Sequence, residues 1–299
     1  MNRIGFVFAV LAAILFGVGG TFAQFLFQNR GINTEWLVTM RLLFAGPALL
    51  VMAALGGKRI FAVWRSDAVP LLVFGVVGMM PVQYTYFAAI QASNTATATV
   101  LQFTAPAMVA LWLALVGRRW PDRRELVAIG LAMLGTYFLV THGVIGALSI
   151  SPLALFWGLA SAVAAAFNSI QPSALLKKHG AALVAGWGMV IGGAALSLFH
   201  APWKVEGHWD ATTGIFFAFI LVMGTLAAFY LFNKALALIG AQKTILLTCA
   251  EPLSAAVLAV WWLGVAWGGM DWLGTACILA TIVLLAKEQA PETQAEKVT

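Results

Sequence analysis

Glu251 is an acid placed well inside an apolar run (TCAEPLSAAVLAVWW), and the only one so placed. At such a depth the related Asp costs about 2.5–3.5 kcal/mol on insertion scales, so a carboxylate there must be paired, solvated or protonated. One reading makes Glu251 a proton or substrate-amine site. The other makes it a structural ion pair, or an acceptor of N–H groups beside Pro252. Lys234 precedes the turn at Gly240 by six residues and Glu251 follows it by eleven. At 1.5 Å per residue their depths differ by about 7–8 Å, within reach of a long Lys stem. The structural role, with Lys234 as partner, is the expectation. Arg41 lies about 10 Å inside the second apolar run on the same arithmetic. Glu35, six residues earlier, is its candidate partner, and a structural role is expected there too.

Other polar residues fall at helical spacing. Thr95, Thr99, Gln102 and Pro106 follow at steps of four, three and four, which is one helix face. Thr244, Thr248 and Glu251 repeat the pattern, next to Pro252. Further faces carry Trp157, Ser161 and Asn168; Thr21, Gln24 and Gln28; and Met80, Tyr84, Phe87 and Gln91. Threonine also bonds its own helix backbone, which is the plainer account of some of these. Most Trp residues near run ends fit an interfacial belt. Tyr84, Trp157, Trp187 and Tyr230 lie deeper and are candidate pocket walls. The expected substrate-binding set is Gln24, Tyr84, Thr99, Gln102, Trp157, Asn168, Trp187 and Tyr230. Its neutral hydrogen-bonding groups could hold a zwitterionic head without burying a protein charge. Pro106 and Pro252 are expected to act as hinges, because Pro removes a backbone donor and disturbs the preceding turn.

No catalytic constellation is present, so the expectation is not an enzyme. His142, His179, His200 and His208 fall at or between run ends, and only His200 and His208 are near one another. No metal site is expected from them. No glycine-rich phosphate loop with a following Lys occurs. No cofactor is expected, and any energy source would be a gradient.

The elements that must position these residues follow from composition. Of 299 residues 62% are hydrophobic and 9% charged, with a mean hydropathy of +0.93. Soluble domains carry about 25% charged residues. A water-soluble enzyme, a disordered chain and a disulfide scaffold are excluded, the last because only Cys249 and Cys277 occur. Ten apolar runs span about 4–27, 34–56, 68–90, 94–116, 124–141, 152–176, 181–200, 211–236, 241–263 and 268–286. A 23-residue helix rises about 35 Å, enough to cross a bilayer core. The first run is too long for a signal-peptide core and is read as a retained helix. Residues 288–299 are expected to form a disordered tail.

The formal charge is +6. Fourteen of the seventeen Lys and Arg fall on one side if the N-terminus is cytoplasmic, among them Lys58, Arg118 and Lys177, while Arg30 and Lys204 fall on the other. By the positive-inside rule both termini are cytoplasmic. This pattern explains the basic balance through the membrane rather than nucleic acid.

The chain also repeats itself. At an offset of 146 residues, Tyr84 falls on Tyr230, Ala89 on Ala235 and Pro106 on Pro252. Five runs per half is an odd number, so the halves would be inverted relative to one another, a recurrent plan of secondary transporters. The expected fold is therefore an all-α membrane protein with ten transmembrane helices, two inverted five-helix repeats (1–146 and 147–287) around a central cavity.

These features resemble the EamA-type family of the drug/metabolite transporter superfamily over about residues 4–286. The resemblance rests on the five-plus-five plan, Arg41 in TMRLLFAGPALL, and the Thr-rich runs carrying Pro106 and Pro252. Gly-bearing last runs (AIGLAMLGTYFLV and DWLGTACILATIVLL) add to it. The ends LVGRRW and WWLGVAW lack an acid often found there in that family. The aromatic load is similar to the family's amino-acid exporters. The resemblance implies an inner-membrane exporter of small amphipathic metabolites, neutral and aromatic amino acids first, with the first, third, fourth, sixth, eighth and ninth helices around the cavity. The alternative is a multidrug or organic-cation exporter. The expected partners are a small-molecule substrate and the lipid bilayer, with the oligomeric state open.

Overall fold

The computed structural model describes residues 3–93, 95–116, 120–144, 151–263 and 268–287. The expected tail at 288–299 lies outside them. Helices account for most of the described residues, and no strand occurs among these. Seven helices are long and apolar enough to cross a membrane, and Ala181–Ser197 and Gly269–Leu284 are shorter apolar helices.

In chain order, α1 (Arg3–Arg30) and α2 (Thr34–Leu55) are followed by a short α3 (Ala62–Ser66). Next, α4 (Ala68–Val73), a π-helical turn (Phe74–Met79) and α5 (Met80–Ala92) run as one rod. The fourth run is broken into α6 (Thr95–Gln102) and α7 (Ala105–Leu115), and α8 (Arg123–Thr141) follows. Then come α9 (Pro152–Ile170), α10 (Ser173–His179) and α11 (Ala181–Ser197). A second rod joins α12 (Ala211–Leu221), a π-helical turn (Val222–Ala227) and α13 (Ala228–Ile239). The ninth run is broken into α14 (Ala241–Leu247) and α15 (Ala250–Leu263), and α16 (Gly269–Lys287) closes the series.

Helix starts carry local signals. Asn33, Ser151 and Asp210 accept the N–H of Trp36, Ala154 and Thr213. Asp122 and Glu125 form a reciprocal capping box at α8. Gly180 and Gly240 turn the chain at φ 90° and 81°, a region that favours glycine.

Packing relies on small residues, since apolar side chains gain little by leaving lipid. Helix α2 lies on α11, and α8 on α16. A Cβ on Gly46 would stand 2.8 Å from the Val190 backbone nitrogen, and one on Gly274 would stand 2.9 Å from the Gly135 carbonyl oxygen. Helix α5 packs on α9 and α1 on α13, while α1 also meets α15. Large apolar side chains such as Leu55, Leu111, Leu115, Phe156 and Ile215 face outward. Arg41, Gln83, Asn168 and Glu251 face inward. The chain is a multi-pass membrane protein.

The two sequence halves are tied at both ends of the bundle. At one end Lys178 Nζ donates to Asp67 Oδ2 at 2.7 Å, and His179 Nε2 lies 2.7 Å from the same oxygen. Hydrogen bonds from Lys178, Ser66 and His179 hold the Asp67 carboxyl well below the usual carboxylate range. At the other end Arg30 Nη2 meets Asp210 Oδ2 at 2.8 Å, and His208 N donates to the Arg30 carbonyl. The N–H and hydroxyl of Thr213, with Arg30 adding to them, hold Asp210 below its ordinary range.

Candidate functional site

A cavity of about 100 Å³ lies in the middle of the bundle. Its wall draws on α1 (Phe16, Gly19, Gly20), α2 (Arg41), α5 (Gln83, Tyr86, Phe87) and the break between α6 and α7 (Gln102, Phe103, Pro106). The second half supplies Asn168 and Ser169 of α9, Gly224 of the π-helical turn, Phe229 and Phe232 of α13, and Thr248 and Glu251 at the second break.

The two breaks shape this wall. Sequence spacing predicts mid-helix prolines, whereas Pro106 and Pro252 each sit just inside the start of a second half-helix. A missing N–H has no consequence there, because first-turn donors lack intrahelical partners anyway. Glu251 consequently stands in the first turn of α15, where the helix dipole favours an anion. This placement helps to explain a carboxylate only 6% exposed in an apolar chain.

Tyr86 is the partner of Glu251. Its hydroxyl donates to Glu251 Oε1 at 3.0 Å and stands 2.9 Å from Thr99 Oγ1. The expected Lys234–Glu251 pair does not form. Lys234 instead points its Nζ over the Tyr230 ring, 5.7 Å from the centroid. A phenol on the adjacent α5 meets the acid inside the bundle, so the long Lys stem is not needed. Gly17 of α1 permits the close approach of α15, since a Cβ there would overlap the Glu251 backbone carbonyl.

Arg41 also stands on the wall, 3% exposed. Its Nε donates to Thr225 Oγ1 at 2.6 Å and its Nη2 to the Gly224 carbonyl at 3.3 Å. Its guanidinium carbon stands 4.3 Å from the Phe87 ring centroid, a cation–π contact. The π-helical turn presents Gly224 and Thr225 to it. Glu35 is not its partner; Glu35 accepts from the Tyr84 hydroxyl at 3.1 Å.

Of the sequence-expected residues, Gln102, Asn168, Pro106 and Glu251 line the cavity. Thr99 lies directly behind the wall, on Tyr86. The others stand elsewhere. Gln24 accepts the Thr95 N–H at 2.8 Å and so caps α6, because α1 passes the start of that half-helix. Tyr84 meets Trp157 edge-on at 5.4 Å, away from the wall. Trp187 donates to the Ile60 carbonyl at 2.8 Å and packs on Phe61 and Trp64 at one bundle end. Tyr230 packs against the apolar core, and Pro252 is not in the wall.

Sequence reasoning missed Tyr86 and Gln83. The expected α5 face was Met80, Tyr84, Phe87 and Gln91; of these Phe87 points inward, together with Gln83, Tyr86 and Ile90. Gln83, a polar residue four positions before Phe87 in an apolar run, was the available signal. Beside the expected neutral groups, the ionisable residues Arg41 and Glu251 also face the cavity.

Known proteins share this architecture. An uncharacterized inner membrane transporter of Salmonella typhimurium, YicL, is 42% identical over 290 residues, covering 95% of this chain and 96% of its own length. An uncharacterized transporter of Archaeoglobus fulgidus is 26% identical over 286 residues, covering 96% and 97%. A solved crystal structure superposes with a TM-score of 0.75 at 18% identity, covering 97% of this chain and 100% of that one, a likeness of fold alone. The model of the EamA-like transporter family matches twice, over residues 3–141 and 152–287. With both halves matched, and a full-length relative at 42% identity, this chain belongs to the EamA-like transporter family.

Proposed function

We propose that this protein is a ten-helix secondary transporter of two inverted five-helix repeats, residues 1–146 and 147–287. It exports small amphipathic metabolites, neutral and aromatic amino acids first, across the inner membrane by alternating access. The observation that carries this reading is the central cavity, walled by matching pieces of both halves. Each half contributes a helix with a π-helical turn (Phe74–Met79; Val222–Ala227) and a run broken before a Pro. The double family match supports the same division. Broken helices at a midplane cavity are a feature of inverted-repeat carriers.

The wall combines phenyl rings with a few polar groups, which suits an apolar side chain on a polar head. Apolar walls discriminate weakly, about 1–3 kcal/mol per methylene. In proteoliposomes we expect saturable counterflow of phenylalanine, leucine and methionine, with aspartate and lysine rejected. The reading fails if no neutral amino acid shows counterflow, or if acidic and basic ones are carried equally well. Preferential counterflow of organic cations would favour the multidrug alternative, for which Glu251 on the wall is the supporting observation.

The basic-residue bias supports cytoplasmic termini. Single cysteines at Lys58→Cys and Glu206→Cys, with Cys249 and Cys277 replaced, should label from opposite sides of the membrane, the first from the cytoplasm. Labelling of both from one side would sink this topology.

A further inference from the structure

Arg41 is a buried cation with an unspent donor. Its Nε and Nη2 are bonded, but Nη1 has no protein partner, and the residue lines the central cavity. No carboxylate forms an ion pair with it among the described residues. Its contacts are a hydroxyl, a carbonyl and the Phe87 face. These are dipoles and a quadrupole, and a buried charge held by dipoles alone is costly. A guanidinium has five donors in a planar fork suited to a carboxylate. Two acceptors on the same wall are also unspent, Gln83 Oε1 and Asn168 Oδ1. Glu251 has one oxygen engaged by Tyr86 and brings a carboxyl group to the cavity that does not pair with Arg41.

We infer that Arg41 receives the carboxylate of the transported molecule, and that Glu251, with the carbonyls of Gln83 and Asn168, receives its ammonium group. The opposite charges on one wall, unpaired with each other, are complementary to a zwitterion. A molecule carrying both groups leaves neither protein charge uncompensated, whereas one carrying a single charge leaves the other stranded. This inference rests on the proposed amino-acid transport and deepens it by assigning the specificity to one ionisable residue at each end of the head group.

The test separates binding from transport. Leucine, isocaproate (carboxylate only) and isoamylamine (amine only) are titrated into purified protein in detergent, read by the fluorescence of its 12 tryptophans. Wild type should bind leucine at least tenfold more tightly than either fragment. Arg41→Gln should lose at least tenfold for leucine and isocaproate and leave isoamylamine within twofold. Glu251→Gln should show the converse, weakening leucine and isoamylamine only. A folded Arg41→Gln protein that binds leucine and isocaproate as wild type does would overturn the inference. If Arg41→Gln does not fold, wild type alone decides: isocaproate should bind at least tenfold more tightly than its methyl ester, and equal binding overturns the assignment. The expected binding pattern without counterflow in liposomes would leave the inference standing and remove the transport reading. Leucine counterflow with Arg41-independent binding would do the reverse.

Discussion

Gly17→Ala is expected to lower the folded yield and the thermal midpoint more than any other single-methyl addition on α1. A Cβ at that position would overlap the Ser254 hydroxyl and the Glu251 backbone carbonyl. The hydroxyl could rotate away, but the carbonyl belongs to the first turn of α15 and moves only with the helix. Overpacking of this kind costs about 1–3 kcal/mol, against which the better helix propensity of Ala offsets at most about 1 kcal/mol. The displacement would also shift Glu251 relative to Tyr86, so surviving protein should show weaker leucine binding. Gly130→Ala is the control. It is interior to α8, and nothing lies within 4 Å of the added carbon. It should be neutral or stabilise by up to about 1 kcal/mol. Midpoints in detergent by scanning fluorimetry, with the monodisperse fraction by size exclusion, give both values. Equal midpoints for the two variants would refute the close α1–α15 contact.

Glu251→Leu should reduce folded yield severalfold, while Glu251→Gln should insert, fold and still carry leucine at a lower rate. Leucine removes the charge-assisted acceptor of the Tyr86 hydroxyl, a bond of about 1.5–3 kcal/mol, and leaves it only Thr99 Oγ1 as a neutral partner. Glutamine keeps an acceptor oxygen for the Tyr86 hydroxyl, which keeps Thr99 as its other partner, so the chain of bonds survives without its charge. Tyr86→Phe should act in the same direction as Glu251→Leu on stability, because both remove one side of a single bond, and the double variant should cost less than the sum. Counterflow across a series of pH values completes the experiment. A Glu251→Gln protein that folds normally yet loses all pH dependence of transport would make Glu251 the coupling site rather than a binding and structural group.

The broad plan was legible in the chain. The ten apolar runs fall within a few residues of the observed helices and half-helices, because long stretches of low polarity leave the backbone no alternative to internal hydrogen bonding in lipid. Pro106 and Pro252 marked the neighbourhood of the two interruptions, although the spacing predicted prolines within continuous helices and not at the starts of half-helices. Asn168 and Gln102 were legible as polar residues that stand out in apolar surroundings. Charge placement along the loops carried the expected topology.

The faces were not legible. In a soluble helix the apolar stripe marks the core, but here apolar side chains cover both the lipid surface and the interior, so hydrophobicity does not say which side is inward. The α5 face was therefore read one position off, with Tyr84 and Gln91 in place of Gln83 and Ile90. Partners were equally hidden. Glu251 is 165 positions from Tyr86 and Arg41 is 184 from Thr225, and neither separation leaves a trace in local spacing. Local arithmetic offered Lys234 and Glu35 because they lie close along the chain. The sequence by itself determined how many apolar runs there are, roughly where they lie and which polar residues they carry. Tertiary structure alone decided which of those residues meet, because glycines such as Gly17, Gly46 and Gly224 let particular helix pairs approach closely enough to bring Arg41 and Glu251 to one cavity.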